Sequence, residues 1–400
     1  MLGRFPANPA GNHMIQQHLF GPGPKRILAL DGGGIRGAIT IAFLIKIEAV
    51  LKKLFGNQTR ISDYFDLIGG TSSGAILAGA AAVGLSGQEM LEFFSRLAPT
   101  VFRRSVWRIA GFQSKFDSRH LQSQLESVLG DISLESERIQ TGVCVVLKRM
   151  DTASAWVISN NPRSQFWNDP PDGSYVGNRR YKLATLIRGS AAAPHYFDPQ
   201  LLQIVENQEP GLFVDGALTP YNNPALLLLL ITTLPQYGIQ WKNGPENLRV
   251  VSLGVGRFRD YLSVREGLRM SAVGVAIRSL TGMIAECDTM VLGLMQALGT
   301  TPTPWKINSE AGTMSGLLPD RPLFEQLRYD VILEQGWLES ELGLKVDSKA
   351  LMRLRRIDDY NSVRLAYEIG QRAAEKQILE EHFASETFSA PTLQNVQSPV

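Results

Sequence analysis

The chain has 400 residues, of which 44% are apolar and 20% charged, and its formal net charge at pH 7 is +2. This composition is typical of a folded globular protein with one large domain or two ordinary ones. A charge so close to zero gives no basis for holding nucleic-acid phosphates, so we expect no nucleic-acid partner. The two cysteines and five scattered histidines exclude a disulfide framework and show no zinc-site spacing, so we expect neither a metal nor a cofactor.

Neither the start of the chain nor its most apolar segment predicts export or a membrane span. Residues 1–24 lack the basic start and apolar core of a secretory signal. The longest apolar run, residues 225–234, is far shorter than the roughly 20 residues that a spanning helix needs. We therefore expect a cytoplasmic protein that meets membranes only peripherally.

Strand and helix patterns alternate through the first half of the chain. The apolar periodicity predicts strands near residues 27–30, 65–68, 142–148, 155–159, 212–214 and 249–253. It predicts helices over residues 39–54, from 75 onward, 183–190 and 224–234. This alternation is typical of an α/β fold, in which helices cover a mostly parallel sheet.

The pattern changes in the second half. Residues 268–298 predict an interrupted amphipathic helix, and residues 351–379 predict a charged helix with apolar side chains at helical spacing. Residues 160–178 break every periodicity and predict a long surface loop, which could border a substrate entrance. We divide the chain into an N-terminal extension (1–24), a core (25–256), a helical C-terminal portion packed on the core (257–384) and a loose tail (385–400).

A serine at position 72 stands in a G-x-S-x-G pentapeptide, between Gly70 and Gly74. An apolar run precedes the pentapeptide, and small residues at helical spacing follow it. A serine on such a tight strand-to-helix turn exposes its hydroxyl, and the flanking glycines let the backbone bend sharply. The pentapeptide predicts that Ser72 is a nucleophile, although such a pattern also arises by chance in chains rich in Gly and Ser.

A second glycine-rich segment follows the first predicted strand. Asp31 precedes three consecutive glycines, and Gly37 closes the segment. Exposed N–H groups at a helix start suit an anion, including the oxyanion formed when a serine attacks an ester. Residues 32–37 also satisfy G-x-G-x-x-G, so a Rossmann-like dinucleotide site is an alternative. In that fold the second strand ends in an acidic residue, whereas here it ends in two glycines.

The hydroxyl of Ser72 needs a base, and three residues are candidates. His382 would complete a Ser-His-Asp esterase, but its Glu-rich surroundings predict an exposed histidine. His195 follows a proline, where a structural or substrate-side role is equally consistent with the sequence. Asp215 ends an apolar strand and precedes Gly216, and catalytic groups commonly project from such turns. Alone, Asp215 would be interpreted as a turn or capping residue.

Three motifs occur in a fixed order: Asp-Gly-Gly-Gly-Ile-Arg-Gly at 31–37, Gly-Thr-Ser-Ser-Gly at 70–74 and Asp-Gly-Ala at 215–217. Together they resemble the patatin-like phospholipases, over residues 25–256. The resemblance implies a three-layer α/β/α fold with a mostly parallel central sheet. The family's third motif often ends in Gly, and Ala217 is a tolerated variant at that position.

The resemblance also implies roles for individual residues. Ser72 would be the nucleophile and Asp215 its base, in a dyad without histidine. The oxyanion hole would draw on the N–H groups of Gly32, Gly33, Gly34 and Ser73. The remaining motif positions would support these groups: Arg36, which would lie near the substrate phosphate, Gly37, Gly70, Gly74, Gly216 and Ala217.

Such a site implies calcium-independent attack on a glycerophospholipid ester at a membrane surface, through an acyl-serine intermediate. Some members of the family require a small-molecule or protein activator, and the sequence leaves both this and an oligomeric state open. Residues 102–108 interleave aromatic and basic side chains, which is consistent with contact to anionic headgroups or with an ordinary solvated helix face. We also expect Phe116 to be a packing residue and Asp117 to mark the start of a helix.

Overall fold

The computed structural model describes residues 13–101, 114–259, 262–315, 320–384 and 387–388. The strands within these ranges are β1 (Lys25–Leu30), β2 (Leu67–Thr71), β3 (Gly142–Arg149), β4 (Ser154–Ser159), β5 (Gln200–Leu202), β6 (Gly211–Asp215), β7 (Leu248–Leu253) and β8 (Glu325–Tyr329). The α-helices are α1 (His13–Phe20), α2 (Gly37–Phe55), α3 (Ile61–Tyr64), α4 (Ser73–Ala82), α5 (Gly87–Val101), α6 (Ser118–Leu129), α7 (Leu183–Ser190), α8 (Ala225–Thr233), α9 (Val264–Gly267), α10 (Ala272–Leu298), α11 (Gln335–Leu342), α12 (Ser348–Leu354) and α13 (Val363–Gln377).

The strands form one sheet in the order β5-β6-β3-β2-β1-β7-β8, and β4 also pairs with β3. Strands β3, β2, β1, β7 and β8 are all parallel. Both β4 and β6 run antiparallel to β3, and β5 runs antiparallel to β6. The predicted α/β class with a mostly parallel sheet is confirmed.

Two apolar cores lie on opposite faces of the sheet because side chains alternate along each strand. In β1, Ile27 and Ala29 join one core, whereas Leu28 and Leu30 join the other. Helices α6, α7 and α8 pack on the first face, and α2, α11 and α13 pack on the second. Both faces are therefore covered, as a three-layer α/β/α arrangement requires.

Strands β2 and β6 meet end to end along a single edge of β3. Residues 142–146 of β3 pair with β2, and residues 147–149 pair with β6, while β4 occupies the other edge. Thr71 is opposite Val146, and Asp215 is opposite Leu147, the next residue of β3. This pairing brings Asp215 beside the turn that follows Thr71.

Helix α1 packs at the end of the sheet opposite to the turn that follows Thr71. His18 Nδ1 lies 3.2 Å from Asp66 Oδ1, and both side chains are buried. Lys25 Nζ donates to the carbonyl oxygen of His18 at 2.5 Å, and Trp241 Nε1 donates to that of Leu19 at 2.8 Å. Part of the predicted N-terminal extension therefore packs against the core.

The C-terminal portion differs from its predicted helices in several places. It supplies β8, which extends the sheet. The helix predicted over 351–379 is broken, because α12 ends at Leu354 and α13 begins at Val363. The helix predicted over 268–298 is present, but the expected interruption within it is wrong, because α10 is continuous from Ala272 to Leu298. Phe388 is buried with Arg249 4.1 Å above its ring, so this part of the predicted loose tail is packed, and the rest lies outside the described residues.

Candidate active site

Ser72 lies on a sharp turn between β2 and α4. Its backbone has φ 55° and ψ −124°, a conformation that non-glycine residues rarely adopt and that active sites retain. The turn brings main chains into contact, since a Cβ on Gly70 would lie 2.2 Å from the carbonyl of Gly74. A Cβ on Gly74 would lie 2.1 Å from the carbonyl oxygen of Leu30 in β1. Both flanking glycines are therefore required by close packing.

The Ser72 hydroxyl faces the carboxylate at the end of β6. Ser72 Oγ donates a hydrogen bond to Asp215 Oδ2 at 2.7 Å. The backbone N–H of Ser72 donates to Ser190 Oγ at 2.9 Å, and Ser190 Oγ donates to the carbonyl oxygen of Val146 at 2.6 Å. Ser190, at the end of α7, thus ties the turn to β3, and no motif in the sequence indicated it.

Asp215 is a buried carboxylate held on both oxygens. Its Oδ1 accepts the N–H of Ala217 at 2.8 Å, and its own N–H donates to the carbonyl oxygen of Ala192 at 3.1 Å. Burial raises the pKa of Asp215 to about 6, although the hydrogen bonds from Ala217 and Ser72 favour its charged form. A carboxylate with this pKa is ionised at pH 7 and remains basic enough to accept a proton.

The three glycines after β1 differ in where their N–H groups point. The N–H of Gly32 donates to the carbonyl oxygen of Asn222 at 3.1 Å, and that of Gly33 donates to Ser73 Oγ at 3.0 Å. Within the described residues, the N–H groups of Gly34 and Ser73 have no protein acceptor. The expectation that all three glycines present free donors is therefore wrong for Gly32 and Gly33 in this arrangement.

A buried ionic cluster lies beneath the glycine loop. Arg328 in β8 contacts both oxygens of Asp31, at 3.1 and 2.6 Å, and also Asp330 Oδ2 at 2.8 Å. Burial alone would lower the pKa of Arg328, but the two carboxylates outweigh it and raise that pKa. Arg328 was missed in the sequence because its partner Asp31 is 297 residues away.

Ser72 and Asp215 open into a cavity of about 1040 Å³ that reaches from the glycine loop to α10. Its wall carries seven cationic side chains, Arg36, Arg257, Arg259, Arg278, Lys306, Arg328 and Arg355, and four carboxyl groups, those of Asp31, Asp215, Asp288 and Asp330. An adjoining recess, also reaching Ser72, is apolar and is lined by Ile76, Phe94, Leu97, Val101, Leu121 and Phe197. The site thus combines an apolar recess with a cationic wall.

Arg36 is part of that wall and is held in place. Its Nη1 donates to the carbonyl oxygen of Gly256 at 2.9 Å, and its guanidinium lies 5.2 Å from the ring centre of Phe258. Gly37, the last residue of the first motif, begins α2. Gly216, the residue after Asp215, packs against the main chain of β3, since a Cβ there would lie 2.3 Å from the carbonyl oxygen of Val146.

Among the described residues, the wall shared with Ser72 includes no histidine. His195 is exposed. The prediction that His382 is exposed is wrong, because it is partly buried and its Nδ1 lies 2.7 Å from the Tyr329 hydroxyl. Cys144 is buried, whereas Cys287 is only partly buried.

Three further expectations concern surfaces. The loop predicted over 160–178 forms no strand or α-helix, but it starts at the sheet end opposite Ser72 and lines none of this cavity, so its assignment to the entrance is wrong. Phe116 is buried, and Asp117 caps α6, as expected. Residues 102–108 lie outside the described residues.

The described helices include none long and apolar enough to cross a membrane, and the described side chains form no acidic, His or Cys cluster suited to a metal ion.

The fold and the site define an α/β protein in which a serine on a strand-to-helix turn is paired with a buried carboxylate. The chain belongs to the patatin-like phospholipase family, whose model matches residues 28–229, about half of the chain.

Similar proteins come from bacteria and plants. A cGAMP-activated phospholipase of Vibrio cholerae serotype O1 is 31% identical over 50% of this chain and 56% of its own length. Patatin group D-2 of Solanum tuberosum is 27% identical over 59% of this chain and 61% of its own length. The chain thus spans little more than half of these relatives. Human GIVD cytosolic phospholipase A2 aligns over 95% of this chain and 63% of its own, with 12% identity and a TM-score of 0.38, too low to support an inference.

Proposed function

We propose that the protein is a lipid acyl hydrolase of the calcium-independent phospholipase A type, with Ser72 as nucleophile and Asp215 as base. The observation that carries this proposal is the 2.7 Å hydrogen bond from Ser72 Oγ to Asp215 Oδ2, within a cavity that also has an apolar recess. A nucleophile in direct contact with its base needs no histidine between them. The names of the relatives, which include a phospholipase, support a lipid ester as substrate.

In the proposed reaction, Asp215 accepts the Ser72 proton as Oγ attacks the ester carbonyl carbon. The carbonyl oxygen becomes an oxyanion, and the N–H groups of Gly34 and Ser73 are its proposed donors. Gly33 would join them if its N–H left Ser73 Oγ. Collapse of the tetrahedral intermediate breaks the ester bond, and Asp215 returns its proton to the departing lysophospholipid alkoxide. The product is an acyl-serine.

In the second half-reaction, Asp215 takes a proton from water as the water oxygen attacks the acyl carbon. Release of the fatty acid returns the proton to Ser72 Oγ. Calcium independence is proposed because backbone N–H groups and the cationic wall supply the positive potential that developing negative charge requires.

The shape of the cavity supports a phospholipid as the substrate. The apolar recess, of about 40 Å³, suits the first carbons of an acyl chain next to the ester, whereas Arg36, Arg278 and Lys306 on the cavity wall suit a phosphate headgroup. An activator is a separate proposal: the Vibrio cholerae relative is named for activation by cGAMP, so activity should be measured with and without this nucleotide.

The test is fatty-acid release from phospholipid vesicles, with and without a chelator. We expect Ser72→Ala and Asp215→Asn each to lower turnover by at least about 1,000-fold, while the exposed-serine control Ser340→Ala retains full activity. A fluorophosphonate should label Ser72 alone. Full activity of either site variant would contradict the dyad, and loss of activity with chelator would contradict calcium independence. Binding of NAD without ester hydrolysis would favour the dinucleotide-binding alternative.

A further inference from the structure

The N-terminal part of α10 and the short helix α9 before it expose an unusual amount of apolar surface. Val264 and Leu268 are 80% and 84% exposed. Within α10, Val273 and Met283 are 68% and 61% exposed, and Leu280 is half exposed. Among the described side chains of α10, the buried ones, such as Val291 and Met295, lie at its C-terminal end. We call the exposed side chains of Val264, Leu268, Val273, Leu280, Met283 and Met290 the apolar ridge.

The apolar ridge runs beside the face of α10 that lines the Ser72 cavity. Cavity-lining residues of α10 recur at helical spacing: Gly274, Arg278, Thr281, Ala285, Asp288 and Leu292. The ridge residue Val273 immediately precedes Gly274, a rotation of about 100° around the helix, and the ridge residue Leu280 itself lines the cavity. Helix α10 is therefore the wall between the cavity and the ridge, so whatever covers the ridge also lies next to the cavity.

The charges at the N-terminal end of the ridge are mainly positive, whereas Glu286 and Asp288 flank its other end near Met290. Between residues 262 and 283 the described chain carries Arg265, Arg269 and Arg278, against a single acid, Glu266. Glu266 Oε2 accepts hydrogen bonds from the backbone N–H and the hydroxyl of Ser263 in the cap of α9. The three arginines form no ion pair with an acid in the described ranges.

We propose that the apolar ridge and Arg265 and Arg269 dock on an anionic lipid bilayer, so that the Ser72 cavity opens next to the membrane. Exposed apolar side chains flanked by arginines match a surface that enters the acyl boundary and meets acidic headgroups. A lipid substrate would then reach the cavity along an apolar path. This inference depends on the proposed function for its substrate, but membrane docking is measured independently of hydrolysis.

The experiment is vesicle flotation of the Ser72→Ala protein, which leaves the lipids intact. The vesicles are either pure phosphatidylcholine or equimolar phosphatidylcholine and phosphatidylglycerol. We expect binding to the anionic vesicles that weakens as salt is raised. Adding Leu268→Gln and Val273→Gln should weaken binding roughly tenfold or more. Adding Arg265→Gln and Arg269→Gln should weaken it by a similar factor on anionic vesicles only.

The matched control replaces two exposed apolar residues elsewhere, Met150→Gln and Leu201→Gln, and should float like the parent protein. In the active enzyme, the Leu268→Gln/Val273→Gln variant should hydrolyse a soluble short-chain ester normally and vesicle lipid slowly. Equal flotation of ridge and control variants would overturn the proposal. So would a lipid-free dimer that the ridge substitutions disperse, because the ridge would then bind a second copy. Flotation without any lipid hydrolysis would instead retain docking and contradict the proposed function.

Discussion

The pH dependence of the reaction should be determined by one side chain, Asp215. Burial raises its pKa to about 6, and only the ionised carboxylate can accept the Ser72 proton. We expect kcat/KM for a soluble ester to fall about tenfold per pH unit below about 6 and to level off above it. A pH profile of the wild type checks this. An acid limb near the ordinary aspartate pKa of 3.8 would show that the group in control is not buried as described.

The same shift predicts an effect of Asp215→Asn on stability. A pKa raised from 3.8 to about 6 means that folding favours the protonated form, so stability is lost as pH rises between these values. The loss amounts to about 3 kcal/mol at neutral pH. Asn has no charge to desolvate, so the inactive variant should be at least as stable as wild type near neutrality, with its advantage disappearing in acid. Urea unfolding at both pH values measures this, and strong destabilisation at neutral pH would contradict it.

The residues of the site differ in how far the sequence could predict them. Ser72 and Asp215 stand in compact motifs, and the structure brings them together. Ser190 and Arg328 act through contacts with residues far away in the chain, and such pairings leave no local pattern. The state of the Gly32 and Gly33 N–H groups depends on Asn222 and Ser73, so the glycine motif alone could not show which donors are free.

Among the structural elements, the β2–α4 turn should tolerate no side chain at Gly74. A Cβ there would lie 2.1 Å from the Leu30 carbonyl oxygen, a backbone atom that cannot move without shifting β1. We expect Gly74→Ala to cost about 1–3 kcal/mol of unfolding free energy and to abolish most activity. Gly336→Ala, in α11, meets no atom within 4 Å and should leave both stability and activity intact. Denaturant unfolding and ester hydrolysis of both variants provide the comparison.

The stability of the sheet at strand β8 should depend on the buried side chain of Arg328. Removing Arg328 would leave Asp31 and Asp330 buried near each other without their shared cation. We expect Arg328→Gln to lower the free energy of unfolding by about 3–5 kcal/mol. Arg321→Gln, which breaks an exposed pair with Glu246, should change it by less than about 1 kcal/mol. Similar losses in the two variants would show that the cluster does not stabilise the sheet.

Local patterns predicted the elements well wherever burial alone determines them. Helix α7 has the predicted bounds, residues 183–190, because its apolar face packs on the sheet. Strand β8 was missed because its buried Gln326 and Arg328 are residue types that are usually exposed, and the contact of Arg328 with Asp31 is long-range. The helix predicted over 351–379 breaks near Ile357, whose carbonyl oxygen accepts the N–H of Ile35 beside the glycine loop. A tertiary contact therefore overrides the helical periodicity.

In the whole molecule, the two ends of the sheet have different tasks. Ser72 and Asp215 lie where the parallel strands end, and their arrangement includes a strained backbone and a buried acid. At the opposite end, just before β2, Asp66 lies within 4 Å of the cationic groups of Lys25 and Arg26 and contacts His18. Burial alone would raise the pKa of Asp66, but these neighbours outweigh it and lower that pKa.

This separation predicts that Asp66→Asn will change stability without changing catalysis. The substitution leaves buried basic groups without their carboxylate, which should cost about 3–5 kcal/mol of unfolding free energy at neutral pH. Because the folded pKa of Asp66 is lowered, its contribution exists above the unfolded value and is lost as pH falls, so the difference between variant and wild type should shrink in acid. Under conditions where both proteins are folded, kcat/KM should be equal, since β2 places the two ends roughly 17 Å apart. A variant that stays stable but loses activity would show that the far end of the sheet also positions the Ser72 turn.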